Sequence, residues 1–167
     1  GFGSPYLSFD NLRYDFEANK EGWIPETYTG ITGITAVARS TNYALHATNA
    51  LKMDVWIVNT DTNRQQGAAK VDMRYYPPPI VRAPFDLSNR VVSAYIYSPA
   101  GAQSTNPANP NQVRVYVKDT NWASQYGAYT TMKDGQWVKA SLTVTTNGGL
   151  LASQIILASQ IVAGNIN

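Results

Sequence analysis

One indole in this sequence stands where burial is seldom expected: Trp122 closes the polar run Asp119-Thr120-Asn121-Trp122, directly after Val113-Arg114-Val115-Tyr116-Val117-Lys118. Strict alternation in that segment puts the valines on one face and Arg114, Tyr116 and Lys118 on the other. An exposed indole beside phenol, guanidinium and ammonium groups suits one chemistry. The flat C–H face of a sugar ring stacks on the indole, and the neighbouring donors reach its hydroxyls. Gln125 and Tyr126 follow in the next segment and close such a site from one side. Tyr95 and Tyr97 alternate with Ala94 and Ile96 and widen the same platform; in the inverted register both tyrosines are core. The plain alternatives are a solvated strand face for Arg114, Tyr116 and Lys118, and peripheral packing for Trp122.

Asp10, Asp15 and Glu17 form the densest carboxylate cluster. Clustered oxygens suit Ca²⁺, which takes six to eight of them; ordinary surface carboxylates are the alternative. His46 is the only histidine, so a multi-histidine metal site is excluded and any Ser-His-Asp triad would have to use it. Glycosidic hydrolysis needs two carboxylates across a cleft, one of them tuned by burial. The three glutamates, Glu17, Glu21 and Glu26, all lie near the N-terminus, while Asp54 and Asp72 fall on outward strand positions with no sign of such burial. The residues therefore point to binding without catalysis. No phosphate loop, dinucleotide fingerprint or EF-hand loop is present.

The elements that must position these residues are strands. Period-two alternation recurs in Leu51-Lys52-Met53-Asp54-Val55-Trp56-Ile57, with Leu51, Met53, Val55 and Ile57 inward and Trp56 outward. Further strands are predicted around 68–76, 90–98, 125–132, 137–145 and 153–162, with turn clusters between them and a long surface loop over 98–111. That spacing predicts an all-β fold, a two-sheet antiparallel β-sandwich of the jelly-roll kind. The 167 residues suit one domain over 5–167, with Gly1-Phe2-Gly3-Ser4 set apart as linker. Charged residues are only 14% of the chain and the net charge is +2 with no like-charged block. Nucleic acid and membrane surfaces are therefore poor partners, and a neutral hydroxyl-rich ligand is a better match. There is no cysteine, and no apolar run approaches a membrane span.

In their order, these pieces resemble the β-jelly-roll carbohydrate-binding modules of bacterial glycoside hydrolases of the mannan-, xylan- or β-glucan-binding type. The resemblance is carried by Asp15-Phe16-Glu17 with Glu21-Gly22-Trp23, by Ala50-Leu51-Lys52-Met53-Asp54-Val55, by Arg90 to Pro99, by Val113 to Trp122, and by Gly135-Gln136-Trp137-Val138-Lys139. It implies a secreted module that binds a β-linked polysaccharide or oligosaccharide without chemistry and holds a tethered catalytic domain to its substrate. It also implies structural roles for Trp23 and Trp137, and a structural calcium held by Glu17 and Asp10 with carbonyls near Thr48 or Asn49. The glycine usually found before the second strand is absent from Tyr43 to Asn49. Such modules end on a closing strand that this sequence instead places first, at Pro5 to Arg13, as if circularly permuted; an ordinary N-terminal strand and a strand-swapped dimer are the other arrangements. Rival functions are a small jelly-roll glycanase or lyase, and an attachment module that binds no glycan.

Overall fold

The structure, a computed structural model, describes residues 14–27, 34–56, 64–72, 85–102, 110–119, 122–145 and 151–162. These form eleven strands: β1 (Ile24–Pro25), β2 (Ile34–Ser40), β3 (Ala50–Trp56), β4 (Arg64–Asp72), β5 (Phe85–Asp86), β6 (Val91–Ser98), β7 (Gln112–Asp119), β8 (Ser124–Tyr126), β9 (Thr130–Thr131), β10 (Gln136–Thr143) and β11 (Leu151–Val162). The all-β expectation holds, with no helix among the described residues. The closing strand expected at 5–13 lies outside them.

The larger sheet runs β1-β4-β11-β7-β8, with β5 added to β11 and β9 to β7. Antiparallel pairs β10–β6 and β2–β3 make the opposing layer. Two buried clusters join the layers. Val113 and Val115 of β7 meet Ala140 of β10, flanked by Val92, Ala94, Ile96 and Val138. Trp23, Ala69 and Val71 gather Tyr14, Phe16, Val37, Leu51 and Met53. The inward valines of β7 and the inward Leu51 and Met53 thus sit where alternation puts them. Edge-on contacts from Tyr14 (5.6 Å) and Phe16 (6.2 Å) fix the Trp23 ring.

Three strand assignments shift. β4 begins at Arg64 rather than near 68, because the long strand β11 pairs with it from Val162↔Arg64 to Gln154↔Asp72 and extends the ladder into a polar stretch. Strand β2 adds to the expected set: Ile34, Ala36, Val37 and Ala38 run between Gly33 and the turn residues Ser40-Thr41-Asn42. It exists because Val37 and Arg39 pair with Met53 and Leu51. The single strand expected over 125–132 is two short ones, both laid against β7. The break falls at Gly127, whose N–H donates to Val115 O at 2.8 Å. A side chain there would place its Cβ 2.5 Å from Ser141 O and 3.0 Å from Val115 O, both backbone atoms. Only glycine lets this segment pass between the two layers.

Gly127→Ala is accordingly expected to destabilise the domain by about 1–3 kcal/mol, the usual range for overpacking. Ala128→Gly is expected to cost far less; chemical denaturation of both variants checks this.

Candidate functional site

Strand β7 is paired on both sides, so its side chains are committed to two faces. Val113, Val115 and Val117 are buried inward. On the outer face Arg114, Tyr116 and Lys118 stand in register with other strands: Tyr116 opposite Tyr126 and Ile156, Lys118 opposite Ser124 and Gln154, Arg114 opposite Ala158. Across β11 the same rows reach Lys70 and Asp72 of β4.

Tyr116 is not an open ring, contrary to the wet-face reading. It is fully buried. The Tyr126 ring lies over it at 4.9 Å, tilted by 36°, and the Arg114 guanidinium is 5.7 Å away. Arg114 is held between two phenols, 4.0 Å from the Tyr126 centroid and 4.6 Å from that of Tyr129. Such contacts are cation–π interactions worth about 0.5–2 kcal/mol each. The Arg114 Nε–H is buried without a hydrogen-bond acceptor. The accessible ring is Tyr126, 48% exposed. Tyr129 was not foreseen from sequence; its three-residue offset from Tyr126, across the Gly127 break, is the signal that could have suggested it.

Trp122 is 57% exposed and projects from the tip of the β7–β8 hairpin. Its backbone is left-handed (φ 63°), a region that non-glycine residues seldom occupy. Asp119 holds it there. The Trp122 N–H donates to Asp119 O at 3.0 Å, Asp119 N–H to Ala123 O at 3.0 Å, and Ala123 N–H to Asp119 Oδ1 at 3.0 Å. Phe16, Glu21, Ala47 and Asn89 take the same backbone region at other turns.

Two tyrosines and one amide fall elsewhere. Gln125 opposes Val117, and its Oε1 accepts from Thr145 N (2.9 Å) and Thr145 Oγ1 (3.2 Å). It ties β8 to the end of β10 and does not line the Arg114 face. Tyr95 and Tyr97 do point away from the core, but on the outer face of β6, in the opposite layer. They cannot widen a platform built on β7. Trp137, expected in the core, pairs with Tyr97 and shares that outer face, because Val138, Ala140 and Leu142 take the inward positions of β10.

At the other end of the sandwich Glu17 meets the turn before β3, which presents N–H groups to its carboxylate. Its Oε1 accepts from Thr48 N (3.0 Å) and Asn49 N (2.9 Å), its Oε2 from Asn49 Nδ2 (2.9 Å). Arg39 Nη1 donates to Glu17 O at 2.7 Å. Asp15 Oδ1 accepts from Glu17 N at 3.1 Å. Asp10 lies outside the described residues, and among the described ones no three acidic or histidine side chains converge. A carboxylate offers about four lone-pair sites, and N–H donors take three of those on Glu17, leaving one position on Oε2. The donors, led by the Asn49 side-chain amide and then the Asn49 N–H, hold the Glu17 carboxyl below its ordinary range against a smaller opposing effect of burial. Glu21 moves the other way, raised by burial. Burial also raises the Tyr14 hydroxyl, with Glu21 and Asp72 adding to it.

No protein-family model and no curated protein sequence matches the chain. Among solved structures it is similar to a carbohydrate-binding module of the β-sandwich superfamily, studied for promiscuous specificity (TM-score 0.63, 16% identity, 92% of this chain and 56% of that one). It is also similar to the N-terminal tandem of family 22 carbohydrate-binding modules from Paenibacillus barcinonensis (TM-score 0.51, 18% identity, 93% of this chain and 41% of that one). The chain thus spans about half the length of the structures it matches. The shared architecture is a β-sandwich.

Because Glu17 has a lowered folded-state pKa, the stability it contributes is present above the unfolded carboxylate range and is lost as pH falls through the folded value. The gap in denaturation midpoint between the wild type and Glu17→Gln is therefore expected to be widest near neutrality and to narrow toward pH 3. Denaturant titrations across that range check it.

Proposed function

We propose that this domain binds a β-linked polysaccharide of the mannan, glucan or xylan class on the outer face of β7 and β8, and performs no chemistry on it. The observation that carries the reading is the pairing of two open rings, Tyr126 and Trp122, on one hairpin whose floor is the clasped Arg114. Tyr126 ends β8 and Trp122 sits on the turn that precedes it, so one hairpin presents both rings. Stacking supplies affinity without charge, and Arg114 and Lys118 supply donors for ring hydroxyls.

The arrangement gives little support to hydrolysis. Asp54 is 3.4 Å from Lys52 on its own strand, and Asp72 belongs to the other layer. The buried carboxylate on the larger sheet, Glu26, is 3.3 Å from Lys70 Nζ. None of these makes the facing acid–base pair that glycosidic cleavage requires. The shared fold favours a module carried beside a catalytic domain in a secreted protein, with affinity in the micromolar range usual for a few stacking contacts.

A structural calcium belongs to the same reading. Glu17 would hold it through the free position on Oε2, with Asp10 as partner, and the ion would pin the chain before β1 to the turn before β3. It supplies rigidity and no chemistry.

Trp122→Ala and Tyr126→Ala are each expected to weaken retention on β-glucan, mannan or xylan gels by roughly 3- to 10-fold, equivalent to about 0.7–1.4 kcal/mol, with an unchanged circular dichroism spectrum. Retention equal to the wild type removes the ring from the site. Calcium is expected to raise the thermal midpoint and a chelator to lower it, since a ligand bound by the native state alone must shift it; a midpoint indifferent to both removes the ion.

A further inference from the structure

The outer face of the opposite layer carries a second aromatic surface. Three rings meet there, and a fourth lies one step along the ladder. Tyr43, from the loop after β2, stacks on Tyr97 at 4.4 Å with 24° between planes, and Tyr97 packs on Trp137 at 5.4 Å. One step along the ladder, Tyr95 opposes Lys139, whose Nζ is 5.6 Å from the Tyr95 ring. Tyr95 is 52% exposed and Tyr43 46%. Beyond them the ladder continues with Ser93 opposite Ser141 and Val91 opposite Thr143. Buried Ala140, with Val92, Ala94 and Ile96 against it, lies between this surface and β7, so the two aromatic surfaces face opposite directions across the sandwich.

From this geometry we infer that the outer face of β6 and β10 is a second polysaccharide-contacting surface, with Tyr43 and Tyr95 as its stacking rings. This rests on the glycan-binding reading of the β7–β8 face. The chemistry of the surface selects the ligand. Its open groups are phenol rings flanked by serine and threonine hydroxyls and one lysine, a mixture of flat apolar faces and hydroxyl-sized donors. That is the counterpart of a pyranose, which has both an apolar face and a polar edge. Among the described residues of β6 and β10 the exposed aliphatic side chain is Val91, and Leu45 lies near Tyr43 in its loop; neither forms a continuous apolar patch with the other. The rings are also pre-set. Tyr43, Tyr97 and Trp137 hold one another, and Tyr95 is braced by Lys139, so little side-chain freedom remains to be lost on binding.

Two surfaces on opposite sides of one domain cannot seat one short oligosaccharide. They can engage two chains of an insoluble polymer, and the second contact then raises retention without changing the first. Soluble and insoluble ligands therefore separate them. In the full chain, Tyr43→Ala/Tyr95→Ala is expected to leave calorimetric affinity for a soluble hexasaccharide unchanged while retention on insoluble polysaccharide falls roughly 3- to 10-fold. Trp122→Ala/Tyr126→Ala should lose soluble binding yet keep residual retention, which the fourfold variant abolishes. Wild-type binding to both ligands, with Tyr43→Ala/Tyr95→Ala retained like the wild type, overturns the second surface and leaves the first. Loss of hexasaccharide affinity in Tyr43→Ala/Tyr95→Ala also overturns it. No binding by the wild type to either ligand overturns both readings. Tyr95→Phe keeps the ring and is expected to behave as wild type, which distinguishes stacking from a fold defect.

Discussion

Every feature of the β7 surface depends on one register. The strand is bonded along one edge to β11 and along the other to β8 and β9, and it supplies Val113 and Val115 to the core that joins the layers. A slip of one residue would turn those valines to solvent and push Arg114 and Lys118 between the sheets. An uncompensated buried charge costs several kcal/mol, and the protein escapes that cost only by shifting the group's protonation or its position. The core thus specifies the register, and the register specifies which side chains reach the outer face. Packing and the make-up of the outer face are consequences of the same alternation.

That coupling explains which parts of the molecule were legible in the sequence. The alternation of Val113 to Lys118, the inward set Leu51 and Met53, and the exposed Trp122 follow from local pattern, and the structure places them accordingly. Tyr116 shows the limit of the method. Its face was readable, but its burial depends on Tyr126 and Arg114 closing over it, a contact between a strand and the one that folds back on it. Tyr95 and Tyr97 were assigned outward correctly, yet alternation says nothing about which layer a strand joins. Sheet membership is decided by pairing across long sequence separations, as in Trp137↔Tyr97. Gln125 fails for the same reason: its partner, Thr145, lies twenty residues away.

The N-terminal turn illustrates a third case, where place was legible and detail was not. Asp15 and Asn19 side chains accept from N–H groups two residues on, Phe16 and Glu21 adopt left-handed backbone, and the Glu17 carboxylate is thereby aimed at Thr48 and Asn49. Carboxylate spacing alone suggested a cluster. What the fold builds is a single acceptor held against two backbone N–H groups and one amide, which closes the end of the sandwich between the chain before β1 and the β2–β3 layer. The lowered pKa of Glu17 is the electrostatic trace of that closure.

The two aromatic surfaces differ in how their rings are held, and the difference bears on what each can do. On the β7 side the exposed Tyr126 rests on buried Tyr116 and covers Arg114, so its position is set from below by the sheet. Trp122 is set by backbone strain at a hairpin tip, supported by Asp119. On the opposite side the rings are set by one another, along a ladder whose neighbours carry hydroxyls. The first surface combines a ring fixed from below, a cation held between that ring and Tyr129, and a second ring on the hairpin turn. The second has flat rings with fewer directed donors beside them. A low-charge sandwich can carry both, because neither draws on long-range electrostatics and each is isolated from the other by a core whose register keeps the two sets of side chains apart.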